Sequence, residues 1–310
     1  MQKLVLEHNV HLRRKKKKNI WDTIFIVTIL ILPLIVFCNQ WLFINLNSIL
    51  MAFQLPTGEW SLKSFEAVFR NFNGQIADPN FSITLAFKNS LLWFGISVLL
   101  MPFQLLVSYF MYKRIKGYKF FQVVFYLPSI ISGVVLASLY SSMVAPDGPI
   151  GLLLKKLGME PVPLFLADSD YATGALIIYR IWLAWGGNML LYGGAMARIP
   201  LEILESARLD GTGSFREFWG FILPLVWPTT STLLILNLTG IFATGDVVML
   251  FTQGAYETMT LGYWIYHKSL YGGAAEYNEI AATGLVFTVV TVPVIMFIRW
   301  LIERIPTVEY

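Results

Sequence analysis

Residues 199–228 read IPLEILESARLDGTGSFREFWGFILPLVWP: a short acidic helix, a glycine turn and a proline-marked apolar re-entry between two hydrophobic runs. Pro200 stands where a helix begins, a place at which its missing amide hydrogen is not needed. Glu202 and Glu205 follow in or near the first turn, where the helix dipole favours acids. They are three residues apart and share a face, and Arg208 lies three further on, which makes a charged ridge. Asp210-Gly211 ends the helix, because glycine takes the left-handed conformation that turns the chain. Gly213 adds a second flexible point, and Phe215, Phe218 and Trp219 lead back to Leu223-Pro224. On composition alone the minority alternative is an interfacial helix bridging two spans.

What surrounds this loop belongs in a membrane. With 56% hydrophobic and 14% charged residues in 310, the chain carries more apolar surface than one water-soluble core hides. Six windows, 21–46, 90–112, 120–143, 171–196, 225–246 and 280–302, reach the roughly 18 apolar residues of a spanning helix. The expected fold is all-α and polytopic with six transmembrane helices.

Basic residues orient these spans, since cytoplasmic loops retain Lys and Arg. The run from Arg13 to Lys18 precedes the first span, and Lys113, Arg114, Lys116 and Lys119 fill the connection between the second and third. With both segments inside, 16 of the 23 Lys and Arg fall on the cytoplasmic side. The expectation is a multi-pass protein of the bacterial plasma membrane with both termini cytoplasmic. The basic run then anchors lipid headgroups and binds no nucleic acid. No cleavable signal peptide is expected, because the first span is long and lacks a small-residue cleavage site.

Chemistry-bearing clusters are sparse. Cys38 is the single cysteine and lies in the first span, so neither an intramolecular disulfide nor a cysteine metal cluster is expected. His8 and His11 would share a face of a helical tail but have no further ligands, and His267 stands apart, so no metal site is expected. A membrane-embedded enzyme would need catalytic groups clustered at one depth, and the acids are dispersed. On the outer side, residues 47–89 contain SLKSFEAVFR, a short amphipathic helix with Phe65, Val68 and Phe69 on one face, followed by the polar NFNGQIADPNFS. Residues 144–170 hold the turn Pro146-Asp147-Gly148-Pro149 and the short helix GLLLKKLG.

The loop resembles the EAA motif of ABC importer permeases, in which Glu-Ala-Ala is followed by Asp-Gly and then Ile-x-Leu-Pro. Here these elements read Glu205-Ser206-Ala207, Asp210-Gly211 and Phe221-Ile222-Leu223-Pro224, with Ser206 replacing an alanine. NSLLWFGISVLLMPFQLLVSYFM, KGYKFFQVVFYLPSIISGVVLASLY and IIYRIWLAWGGNMLLYGGAMARIP, in that order and spacing, are similar to the carbohydrate-importer permeases of the maltose and glycerol-phosphate type. The resemblance covers almost the whole chain. It implies a type I, MetI-like permease fold that hydrolyses nothing itself. It also implies a homologous second permease, two ATP-binding subunits holding ATP and Mg, an extracytoplasmic sugar-binding protein and an oligosaccharide substrate. The loop helix, with Glu202, Glu205, Ser206, Ala207, Arg208, Asp210 and Gly211, would dock on an ATP-binding subunit. No phosphate-binding G-x-x-x-x-G-K-[ST] occurs in the chain, as a non-catalytic subunit requires. Where many relatives carry Gly-Gly-Pro, this chain reads Gln253-Gly254-Ala255-Tyr256-Glu257.

Candidate substrate contacts are polar and aromatic groups within the spans, where an ionisable group is costly unless paired or wet. Arg180 lies roughly 13 Å inside the fourth window at about 1.5 Å per residue. It either binds substrate through its planar fork or pairs with Asp246 near the outer end of the fifth window. Trp182 and Trp185 share a face, Tyr179 and Tyr192 flank them, and Asn188 lies off that stripe. Aromatics of this kind stack on sugar rings or form an interfacial belt, as do Tyr256, Tyr263, Trp264 and Tyr266 near the outer mouth. Asn237 and Thr239 are ligands or interhelical glue. The expected organisation is a basic tail (1–20), a first span (21–46), an outer segment (47–89), a five-helix core (90–304) containing the loop 199–224, and a short tail (305–310). A permease for another solute such as glycerol phosphate is the neighbouring alternative.

Overall fold

The computed structural model describes residues 20–73 and 81–305. His8 and His11, the basic run 13–18, residues 74–80 of the polar outer piece, the tail 306–310 and the Arg208 side chain lie outside the described residues. Among those described, the architecture is helical, with a single isolated bridge between Gln54 and Trp60.

Among the described residues, five helices are long and apolar enough to cross a membrane: Thr23–Ala52, Ile83–Tyr112, Ser169–Met196, Ser214–Thr239 and Ala275–Glu303. The bent pair Tyr118–Ile130 and Gly133–Lys156, whose halves meet at 108°, makes a sixth crossing when it is counted as one span. The first span consists of α1 (Ile20–Val36), a π-helical stretch (Phe37–Phe43) and α2 (Ile44–Ala52). After it come α3 (Lys63–Phe72), α4 (Ile83–Tyr112), α5 (Tyr118–Ile130), α6 (Gly133–Val144) and α7 (Pro149–Lys156). The fourth span divides into α8 (Ser169–Leu183) and α9 (Trp185–Met196), and the loop holds α10 (Leu201–Leu209). Then α11 (Ser214–Glu217), a π turn (Phe218–Ile222) and α12 (Leu223–Thr239) run on as one rod, followed by α13 (Asp246–Phe251), α14 (Leu261–Tyr271) and α15 (Ala274–Glu303).

Several boundaries differ from the apolar windows for physical reasons. The first span continues to Ala52, because Asn45 and Ser48 return their side-chain hydrogen bonds to Trp41 and Ile44 of the same helix and do not break it, and the second span begins at Ile83. The third window, 120–143, breaks at Ile131 and Ser132, which adopt extended backbone after Pro128. The fifth window overshoots: the helix stops at Thr239, and Asp246 opens the separate α13. In α3 the inward face is Phe65, Val68 and Phe72, whereas Phe69 is exposed.

Two apolar clusters hold the bundle. One gathers Ala52, Val68, Ile83, Trp93, Leu136, Leu176, Tyr179 and Trp264 at the end carrying α3, α7, α13 and α14. The other gathers Met101, Leu105, Tyr109, Tyr192, Met196, Leu204, Phe218 and Val226 at the end carrying the basic turn and α10. No residue in the apolar window of the first span is buried, as suits a helix facing hydrocarbon, while its last part, α2, packs on α15. Pro33, Pro102, Pro128, Pro228 and Pro293 all lie inside helices, where in a membrane neighbouring groups satisfy the freed carbonyls.

Candidate functional site

At one end the chain presents a helix whose two faces differ. Leu204 of α10 is buried in one cluster with Ile199, Met196 and Phe218, and Ala207 is buried too, while Glu202, Glu205, Ser206, Leu209 and Asp210 face outward. Leu209 is 89% exposed, an apolar knob at the end of an acidic face. Ser206 donates its hydroxyl to Ile203 O, so the serine in the alanine position stays within its own helix. Gly211 has φ +74° with open space around it, so glycine is required there by backbone conformation and not by crowding. The sequence placed Ala207 on the docking set, but it is a buried anchor of that helix. Leu209 was missed, because a leucine in an amphipathic segment reads as core.

The loop returns through α11, where Glu217 is 1% exposed. Its carboxylate receives the Tyr109 hydroxyl at 3.2 Å and the Lys113 ammonium at 3.2 Å, both from the end of α4. Sequence reasoning passed over Glu217, whose neighbours Arg216 and Phe218 suggest only an interfacial segment.

Toward the other end the predicted contact residues separate into two groups. Arg180 and Asp246 do meet, with Nη1 and Oδ2 3.6 Å apart, the arginine side chain partly exposed and the aspartate largely so. Trp93, Thr244, Gly245 and Thr260 line the same small recess. Trp182, exposed, lies edge-on to Tyr179, and Trp185 packs on Phe125. Asp246 therefore sits at the start of α13 and reaches Arg180 across the break after α12. Thr244 also contributes a buried hydroxyl without a hydrogen-bond partner, a feature no sequence pattern signals.

The second group is committed to packing. Asn188 donates to Gln104 Oε1 at 2.8 Å, and Gln104 donates to Ala184 O at 2.8 Å, closing the break between α8 and α9. Tyr192 is fully buried in the second cluster. Asn237 bonds Leu233 O of its own helix and lies 3.8 Å from Met101 Sδ, and Thr239 bonds Leu236 O. Tyr263 and Trp264 are likewise buried, with Trp264 donating to Phe81 O, whereas Tyr256 and Tyr266 are exposed. The Asn188, Gln104 and Trp264 bonds tie separate elements together, whereas Asn237 and Thr239 bond within their own helix and the buried Tyr192 hydroxyl has no hydrogen-bond partner among the described residues. His267 lies tilted against Phe81 and Tyr271, each ring centre 4.7 Å away, and burial there lowers its pKa. Among the described residues, no group of three or more His, Cys, Asp or Glu could hold a metal ion.

This arrangement matches a known family. Residues 104–306 fit the model of the binding-protein-dependent transport system inner membrane component. The chain belongs to this family. It is therefore a non-catalytic, multi-pass membrane permease subunit, as in ABC transporters whose partner subunits hydrolyse ATP.

Two curated relatives and one solved structure illustrate the likeness. The chain is 28% identical over 218 residues to the sn-glycerol-3-phosphate transport system permease protein UgpA of Brucella suis, covering 67% of this chain and 71% of that one. It is 32% identical to the osmoprotective compounds uptake permease protein GgtC of Synechocystis, covering 66% of this chain and 77% of that one. A chain of a bacterial ABC transporter involved in the import of the acidic polysaccharide alginate superposes with a TM-score of 0.77 at 25% identity, covering 93% of this chain and 99% of that one. The permease fold, expected from the EAA-like loop, is thus shown.

Proposed function

We propose that this permease moves an oligosaccharide delivered by an extracytoplasmic binding protein, in a pair with a second, homologous permease. Two ATP-binding subunits, which hold the ATP and Mg, dock on the outward face of α10 through Glu202, Glu205 and Leu209, with Asp210 and Gly211 shaping the turn. The single observation that carries the coupling reading is the two-faced α10, anchored by Leu204 and Ala207 and free on its acidic side. Both termini lie in the cytoplasm of a bacterial cell, as the concentration of Lys and Arg in the N-terminal tail, the 113–119 turn and the loop supports.

Arg180, Asp246 and Trp182 form the part of the solute path contributed by this chain. A sugar offers hydroxyls to the guanidinium and carboxylate and an apolar ring face to the indole. The likeness to the alginate importer's chain supports a glycan of some length. UgpA's name raises glycerol phosphate as the second reading, but Asp246 beside Arg180 opposes a phosphate dianion there. That favours a ligand rich in hydroxyls over one carrying a concentrated negative charge.

Uptake by cells carrying Glu205→Ala with Gly211→Val tests the coupling reading. The variant is expected to remain in the membrane and to lose transport. Normal transport would overturn the assignment of α10 as the docking element.

A further inference from the structure

Glu217 is nearly inaccessible, yet it carries a carboxylate at the boundary between the loop and a membrane-spanning rod. A buried charge is tolerated only when paired and hydrogen-bonded, and Glu217 finds two such partners in the last turn and cap of α4. The Tyr109 hydroxyl lies 3.2 Å from both Glu217 Oε1 and Ser214 O. Lys113 Nζ donates to Glu217 Oε2 at 3.2 Å and to Ser214 Oγ at 3.1 Å. The ammonium also lies 5.3 Å from the centre of the Tyr109 ring, and that ring packs on Phe218 at 5.2 Å. Ser214 and Glu217 are the two ends of α11, so both ends of this four-residue element are tied to one helix.

The same cluster reaches the docking helix. Leu204 of α10 packs with Tyr109, Met196, Phe218 and Ile222, so α10 and α11 are seated on α4 by one apolar core and one polar clasp. We infer that Tyr109, Lys113 and Glu217 are positioning residues that make the α10–α11 loop and the second span one rigid body. A push received by α10 then displaces α4 directly, without being absorbed at the glycine turn Gly211–Gly213. An apolar contact alone can slide, whereas a buried ion pair with a shared hydroxyl fixes register. Lys113, read from sequence as a topology signal, has this second role. The inference rests on the coupling reading above.

Its test uses the complex purified with its partner subunits. Spin labels are placed at the exposed positions 116 and 216 in a Cys38→Ser background, and the distance between them is measured with and without ATP. One narrow distance, unchanged by ATP, is expected. In Glu217→Gln the distribution should broaden, and solute moved per ATP hydrolysed should fall about 2- to 30-fold, the span of coupling losses seen along packed networks. Tyr109→Phe, which removes one hydroxyl and keeps the ion pair, should lose less.

A distance that shifts with ATP in the otherwise unmodified, transporting complex overturns the inference, as does an unaltered transport-to-ATP ratio in Glu217→Gln. If Glu217→Gln fails to assemble, the unmodified complex still decides through its own distance. Normal transport by Glu205→Ala with Gly211→Val would instead remove the coupling reading, whatever the label distance.

Discussion

Arg180 shows how far one residue can be read. An arginine inside an apolar window announces either a ligand or a partner, because hydrocarbon tolerates it only when compensated. The structure supplies the partner, Asp246 at 3.6 Å, but leaves the arginine partly exposed and the aspartate largely exposed at a recess beside Trp93 and Thr244. A pair with this exposure stabilises little by itself, so its groups remain available to a solute. Arg180→Met is therefore expected to raise the concentration for half-maximal uptake roughly tenfold or more, the effect of losing charged hydrogen bonds worth about 1.5–3 kcal/mol. Uptake titrations read this against the amount of protein in the membrane. Loss of the folded protein would mean that the pair is structural. Asn188, by contrast, was legible as a polar residue but not as a taken one: its partner Gln104 is 84 positions away in sequence.

At the scale of elements, the loop was the most legible part of the chain. Pro200, Asp210 and Gly211 bracket a helix through local chemistry, and α10 with its left-handed glycine follows from them. Breaks inside spans were less legible, since hydropathy does not register a turn that tertiary contacts satisfy. Span three bends after Pro128, and span four is interrupted at Ala184, where Gln104 takes the carbonyl. These two breaks meet at Gly186, where an added Cβ would lie 2.7 Å from Ser129 Oγ and 2.8 Å from Ser129 Cβ. Gly186→Ala should therefore force α5 away from α9 and destabilise the protein by about 1–3 kcal/mol, the usual cost of overpacking. Thermal unfolding in detergent micelles would show this as a lowered midpoint. Ser129→Gly in the same chain should recover part of the loss, whereas an unchanged midpoint in Gly186→Ala would refute close packing at this crossing.

For the whole molecule, composition alone established a membrane protein, and the order of motifs established the type. The six-crossing count holds once the bent pair is taken as one crossing. Sequence did not show which face of each helix is spoken for. Two clusters divide the bundle between a loop end, where α4, α10 and α11 are clasped, and an opposite end, where Arg180 and Asp246 meet. This separation suits a device in which one end receives a mechanical input and the other handles the solute. Of the first span only Ala52 joins a buried cluster; α2 packs on α15, and the apolar stretch before it is left to lipid.

The central claim, an ATP-driven importer subunit for an oligosaccharide, is tested most directly by ATP hydrolysis in the reconstituted complex with its binding protein. Neutral oligosaccharides, uronate-containing oligosaccharides and glycerol 3-phosphate would be added in turn. Stimulation by an oligosaccharide, and not by glycerol 3-phosphate, is the predicted result. Stimulation by glycerol 3-phosphate alone, or by none of the three in an intact complex, would contradict it.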